Sequence, residues 1–95
     1  MLDKTKIDQI AQNIAKANLT TGSVKSVVSS PTVDSEGKDA LLIRIVLTPG
    51  SSSGIKGDAA LDTLTQIQSS LQKQGEERFP IIEYEELGEG GDSQP

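Results

Sequence analysis

The chain has no cysteine, no histidine and no tryptophan, and a single methionine, tyrosine and phenylalanine each. Without Cys there is no disulfide framework, thiolate metal site or cysteine nucleophile. Without His there is no imidazole ligand and no Ser-His-Asp triad. Long apolar runs are missing too. The run Ala40-Leu41-Leu42-Ile43 is stopped by Arg44, far short of the ~20 residues a membrane-spanning helix needs. Met1-Leu2-Asp3-Lys4 leads directly into an amphipathic pattern rather than an apolar leader. Neither a membrane span nor a secretion signal is expected. A reducing, cytoplasmic compartment is the expectation.

What is present fits one small domain. Its 95 residues are 34% apolar and 24% charged, enough for one modest core that removes roughly 60–65% of the unfolded chain's surface from water. A deep cleft between two domains is excluded by length. The net charge is -5, and it is uneven: positions 1–50 hold six Lys/Arg against five Asp/Glu, positions 51–95 three against nine. Such a chain does not gather phosphate backbones around itself. A protein partner or self-association is expected before nucleic acid, and no cofactor or metal is called for.

The apolar spacing divides the chain. Ile7, Ile10, Ala11, Ile14 and Ala15 form one stripe, which predicts a helix over 3–18 with Asp3 as its N-cap and Leu2 as a staple onto Ile7. Asn18 and Gly22 are available to end it. Val24, Val27, Val28 and Val33 predict a strand over 23–33, with Pro31 demanding an edge position or a bulge. Asp34–Lys38 is a turn. Over 39–48, Leu41, Ile43, Ile45 and Leu47 line one face and Ala40, Leu42, Arg44 and Val46 the other, the signature of a central strand. A Gly/Ser loop over 48–57 leads to a second helix over 58–74, capped by Asp58 and closed by Gly75, with Ala60, Leu61, Leu64, Ile67 and Leu71 as its stripe. A third strand spans 79–87, with Phe79 as a core residue and Tyr84 part core with its hydroxyl outward. Residues 88–95 read as a disordered acidic tail behind a single domain over 1–87.

The order is α-β-β-α-β. The expectation is an α+β two-layer sandwich: a three-stranded mixed sheet with both helices on one face, the second helix returning the chain for a parallel pairing. The other sheet face is left solvated or available to a partner.

Three groups of residues could carry a function. Glu83 and Glu85 alternate, so both project from one face of the third strand, and Glu76, Glu77, Glu86, Glu89 and Asp92 add to the acidity of this stretch. Arg44, Glu83 and Glu85 are the candidate partner-binding residues of a non-catalytic interaction module, which would bind through the exposed sheet face or an edge strand. Gly50–Gly57 has the outline of a phosphate loop, yet Ile55 stands where a glycine is needed and Gly57 where a hydroxyl is needed. Gly54, Lys56 and Gly57, within Gly54-Ile55-Lys56-Gly57, are the candidate residues of an alternative, nucleic-acid-binding function.

That G-x-x-G tetrapeptide and the α-β-β…β order resemble K-homology domains of the bacterial type, in which such a loop clamps a nucleic-acid backbone. In that family the loop joins two helices, whereas one helix is readable here. Ile43–Gly50 followed by a helix is similar to small domains of iron–sulfur cluster assembly, but Ser51–Ser53 occupy the place of their cysteine, so only fold is implied. Leu71–Pro80 after the Ala40-Leu41-Leu42 strand resembles small uncharacterised bacterial proteins of α-β-β-α-β pattern, to which no chemistry is attached.

Overall fold

The structure, a computed structural model, describes residues 2–87, so the expected acidic tail lies outside the described residues. Helix α1 (Lys4–Leu19) is followed by strands β1 (Val24–Val33) and β2 (Asp39–Leu47), helix α2 (Gly57–Lys73) and strand β3 (Phe79–Glu86), with short 3-10 turns at Thr21–Ser23 and Ser51–Gly54. The sheet order is β1-β2-β3, β1 antiparallel and β3 parallel to the central strand. This is the α-β-β-α-β mixed-sheet fold that the spacing predicts.

Asp3 caps α1, its carboxylate accepting from the Lys6 N–H at 2.9 Å. Ile7, Ala11, Ala15 and Leu19 form the buried stripe, and Leu2, Ile10 and Ile14 pack at its margin. The helix ends differently from expectation. Thr20, not Gly22, takes the positive φ (74°) beyond its last turn. Asn18 stays helical because its amide is used twice, donating to the Ile14 carbonyl and to Gln66 on α2, each at 3.0 Å.

The β1–β2 turn is closed by Asp34, which accepts from the N–H groups of Glu36 and Lys38 at 2.8 and 2.9 Å. Pro31 stays in regular register opposite Leu41, tolerated because β1 is an edge strand, and the ladder irregularity falls instead between Val24 and Ser26. The core-facing rows run across all three strands: Val27, Ile45 and Tyr84, then Ser29, Ile43 and Ile82, then Pro31, Leu41 and Pro80. Leu41, Ile43, Ile45 and Leu47 are at most 2% exposed beneath the two helices. Each such burial contributes about 1.5–3 kcal/mol.

Helix α2 starts one residue earlier than expected. Lys56 occupies the N-cap position without a side-chain cap, and Asp58 lies in the first turn, where its charge still opposes the positive end of the helix dipole. Its inward stripe is Thr63, Ile67 and Leu71 with Ala59 packed beside them. Leu61, expected in that stripe, is 62% exposed. The i, i+4 row through position 63 faces the sheet, which turns position 61 outward.

Ile67→Ala removes a fully buried side chain and is expected to cost about 2–4 kcal/mol. Leu61→Glu should change stability by less than ~0.5 kcal/mol. Denaturant unfolding of the two variants checks this; a large loss at Leu61 would mean that the outward face of α2 is covered in solution.

Candidate functional site

The helices cover one face of the sheet and leave the other bare. Period-two alternation places four rows on the bare face: Ser26, Val46 and Glu85; Val28, Arg44 and Glu83; Ser30, Leu42 and Ile81; Thr32, Ala40 and Phe79. Phe79 is 50% and Val28 44% exposed, with Leu42, Val46 and Ile81 half-buried between them. Phe79, expected in the core, therefore lies outside it. As the first residue of β3 opposite Ala40, it falls on the alternate face from Pro80, Ile82 and Tyr84.

Arg44, Glu83 and Glu85 are brought together on this face. Arg44 and Glu83 are direct partners in the parallel register. The guanidinium Nε donates to Glu83 Oε1 at 3.0 Å, Nη2 lies 3.0 Å from the same oxygen, and Nε lies 3.5 Å from Glu85 Oε1. All three side chains are about half exposed, so the network contributes at most ~1 kcal/mol to folding. Its effect is to hold two carboxylates in a fixed place beside an apolar patch.

Gly54, Lys56 and Gly57 belong to a different part of the surface. The Ser51–Gly54 turn runs through Ile55, which packs on the core margin, and exposed Lys56 into Gly57, the first residue of α2. The tetrapeptide thus joins two helical elements, the first only one turn long.

Two charged groups that the sequence presents as solvated are structural. Gly75, with φ 94°, ends α2 in a left-handed cap: its N–H donates to the Gln72 carbonyl and the Glu76 N–H to the Leu71 carbonyl. That turn folds Glu76 inward to 1% exposure. Its carboxylate accepts from the Leu2 N–H at 2.9 Å and from the Arg78 N–H, Nε and Nη2 at 3.0, 2.8 and 3.0 Å. The guanidinium hydrogen bonds above all hold its pKa down to about 2 against the upward push of burial. Asp8 crosses from α1 to β1, accepting from the N–H (2.7 Å) and hydroxyl of Ser29. Burial raises its pKa, but the bonds from Lys4 and Ser29 outweigh that and leave it lowered.

Tyr84 also departs from expectation. Its hydroxyl is buried without a well-formed hydrogen bond rather than turned outward. Burial raises its pKa, partly offset by the Thr63 hydroxyl, which itself donates to the Ala59 carbonyl at 2.8 Å.

A concavity of about 420 Å³ is lined by Asp39, Gly75, Glu76, Glu77 and Arg78. Its arginine is bidentate to Glu76 and so already matched. Among the described residues, no three Asp or Glu side chains gather closely enough to hold a metal ion. The chain matches no protein-family model, no curated protein and no solved structure.

A carboxylate whose folded pKa lies below its unfolded value adds stability above the unfolded value and loses it as pH falls toward the folded one. For Glu76 that window runs from 4.5 down to about 2. Glu76→Gln is expected to cost on the order of 2–3 kcal/mol at pH 7. The gap to the wild type should narrow steadily below about pH 4.5 in denaturant unfolding across pH. A gap independent of pH would refute the assignment.

Proposed function

We propose that this chain is a non-catalytic protein-interaction module, cytoplasmic, that binds a protein partner or a second copy through the uncovered side of its sheet. The observation that carries this is the bare face itself, where Phe79, Val28, Leu42 and Ile81 stand next to the Arg44–Glu83–Glu85 network. An apolar centre edged by fixed charges suits recognition of a protein surface. The two carboxylates drawn into the fold, Glu76 and Asp8, are not placed for catalysis. A general acid or base needs a pKa moved toward neutrality, whereas Glu76 and Asp8 are moved down and their oxygens are used in structural bonds. No described helix is long and apolar enough to cross a membrane.

The second reading is nucleic-acid binding through Gly54, Lys56 and Gly57, in the manner of the K-homology domains that the G-x-x-G resembles. It is favoured by the placement of exposed Lys56 between a helical turn and the uncapped start of α2. Asp58 in the first turn of α2 and the acidity of positions 51–95 weigh against it.

Affinity capture from lysate, run with and without nuclease, separates the two. The expected result is a discrete protein retained after nuclease, lost with Phe79→Asp or with Glu83→Lys plus Glu85→Lys, and unaffected by Lys56→Ala. Self-association would appear as a Phe79-dependent dimer in sedimentation of the purified chain. Capture that needs intact nucleic acid and fails with Lys56→Ala would establish the second reading instead.

A further inference from the structure

The two edges of the sheet are finished differently. On β1 the outward N–H of Ser29 is taken by Asp8 at 2.7 Å, and the next outward position is Pro31, which has no N–H to give. At these two positions the outer edge of β1 is blocked, by its own helix and by proline. On β3 the Leu87 N–H donates to the Leu47 carbonyl at 3.0 Å. Alternation along a parallel ladder then directs the amides of Glu85, Glu83 and Ile81 toward β2. The N–H and C=O groups of Ile82 and Tyr84 point away from it, and among the described residues no hydrogen bond reaches them.

The side chains flanking this open stretch are charged in one sense. Glu83 and Glu85 are more than half exposed, and Arg44 engages Oε1 of each. Their Oε2 atoms make no bond among the described residues. Two carboxylates share one guanidinium, which leaves a local excess of negative charge held in register with the free backbone groups.

Building on the interaction-module reading, we infer that the outer edge of β3 accepts an extended segment of a partner protein in which basic residues alternate with apolar ones. An added strand would complete its hydrogen bonds at Ile82 and Tyr84. Every second side chain would then lie beside Glu83 and Glu85 on the bare face, and the intervening ones beside Ile82 and Tyr84 on the helix-covered face. Charge selects the occupant. A second copy pairing β3 with β3 would set carboxylates against carboxylates, which destabilises a cross-strand pair. Lysine or arginine at alternate positions meets the unpaired Oε2 atoms.

The test uses the full chain and a short fluorescent peptide alternating lysine and valine. Saturable binding is expected by fluorescence anisotropy, with the amide resonances of Ile82 and Tyr84 shifted. A peptide with glutamate in place of lysine should not bind. N-methylation of one alternate set of peptide amides should weaken binding more than about tenfold, the other set having little effect. Glu83→Gln with Glu85→Gln, both exposed and isosteric, should weaken it about fivefold while circular dichroism stays unchanged. No binding, or binding indifferent to either methylation pattern, overturns the edge inference. If a Phe79-dependent partner is still captured from lysate in that case, the interaction-module reading stands alone; if that capture fails as well, both are lost.

Discussion

The arrangement of this chain depends on β2 being buried under both helices while hydrogen-bonded along both edges. Its core-facing side chains, Leu41, Ile43, Ile45 and Leu47, give α1 and α2 a common floor. Its backbone fixes β1 in one direction and β3 in the other. Because the pleat has period two, a slip of one residue would bring Leu42 and Arg44 under the helices and turn the aliphatic row out to water. The register of Glu83 on Arg44 and of Phe79 on Ala40 is therefore set by packing on the opposite face of the sheet.

The elements that were legible in the sequence are those whose spacing is enforced by that floor. The α1 stripe, the β2 alternation and the Gly75 cap each leave a local signal, and they were sufficient for the order and class of the fold. Errors fall where orientation depends on a neighbour. Leu61 reads as part of a stripe until the sheet chooses the Thr63, Ile67 and Leu71 row of α2. Phe79 reads as core by composition, although its alternation with Pro80 and Ile82 already places it on the other face. The Arg44–Glu83–Glu85 grouping was half legible: the alternation of the glutamates is local, but their pairing with Arg44 needs the parallel crossover through α2. Glu76 has no local signal beyond Gly75 before it and Arg78 two residues after.

The glutamates of the C-terminal third show how position, rather than type, decides what a carboxylate does. Glu76, folded inward by a left-handed cap, is matched by a bidentate arginine and two backbone amides and ties the start of α1 to the end of α2. Removing a partner from such a group leaves a charge out of water, which is why its energetic weight is large. Glu83 and Glu85 sit in water with a shared arginine, where the same interaction is nearly neutral for folding. A charge group that contributes little to stability yet is held in fixed register is better suited to selecting a partner than to holding the fold.

A sheet of three strands has two edges, and unfinished edges invite unwanted pairing. Here one edge is blocked at Ser29 by Asp8 and at Pro31 by the missing N–H. Along the other, the outward backbone groups of Ile82 and Tyr84 have no partner among the described residues, and Glu83 and Glu85 flank them. On the proposed edge docking, those carboxylates would repel an identical strand and accept a basic one, so protection of this edge and choice of partner would come from the same two side chains. The bare face next to them bears on the same proposal. Phe79, Ile81 and Leu42 present apolar surface beside that edge, so in the proposed docking charge would govern which strand arrives and apolar burial how long it stays.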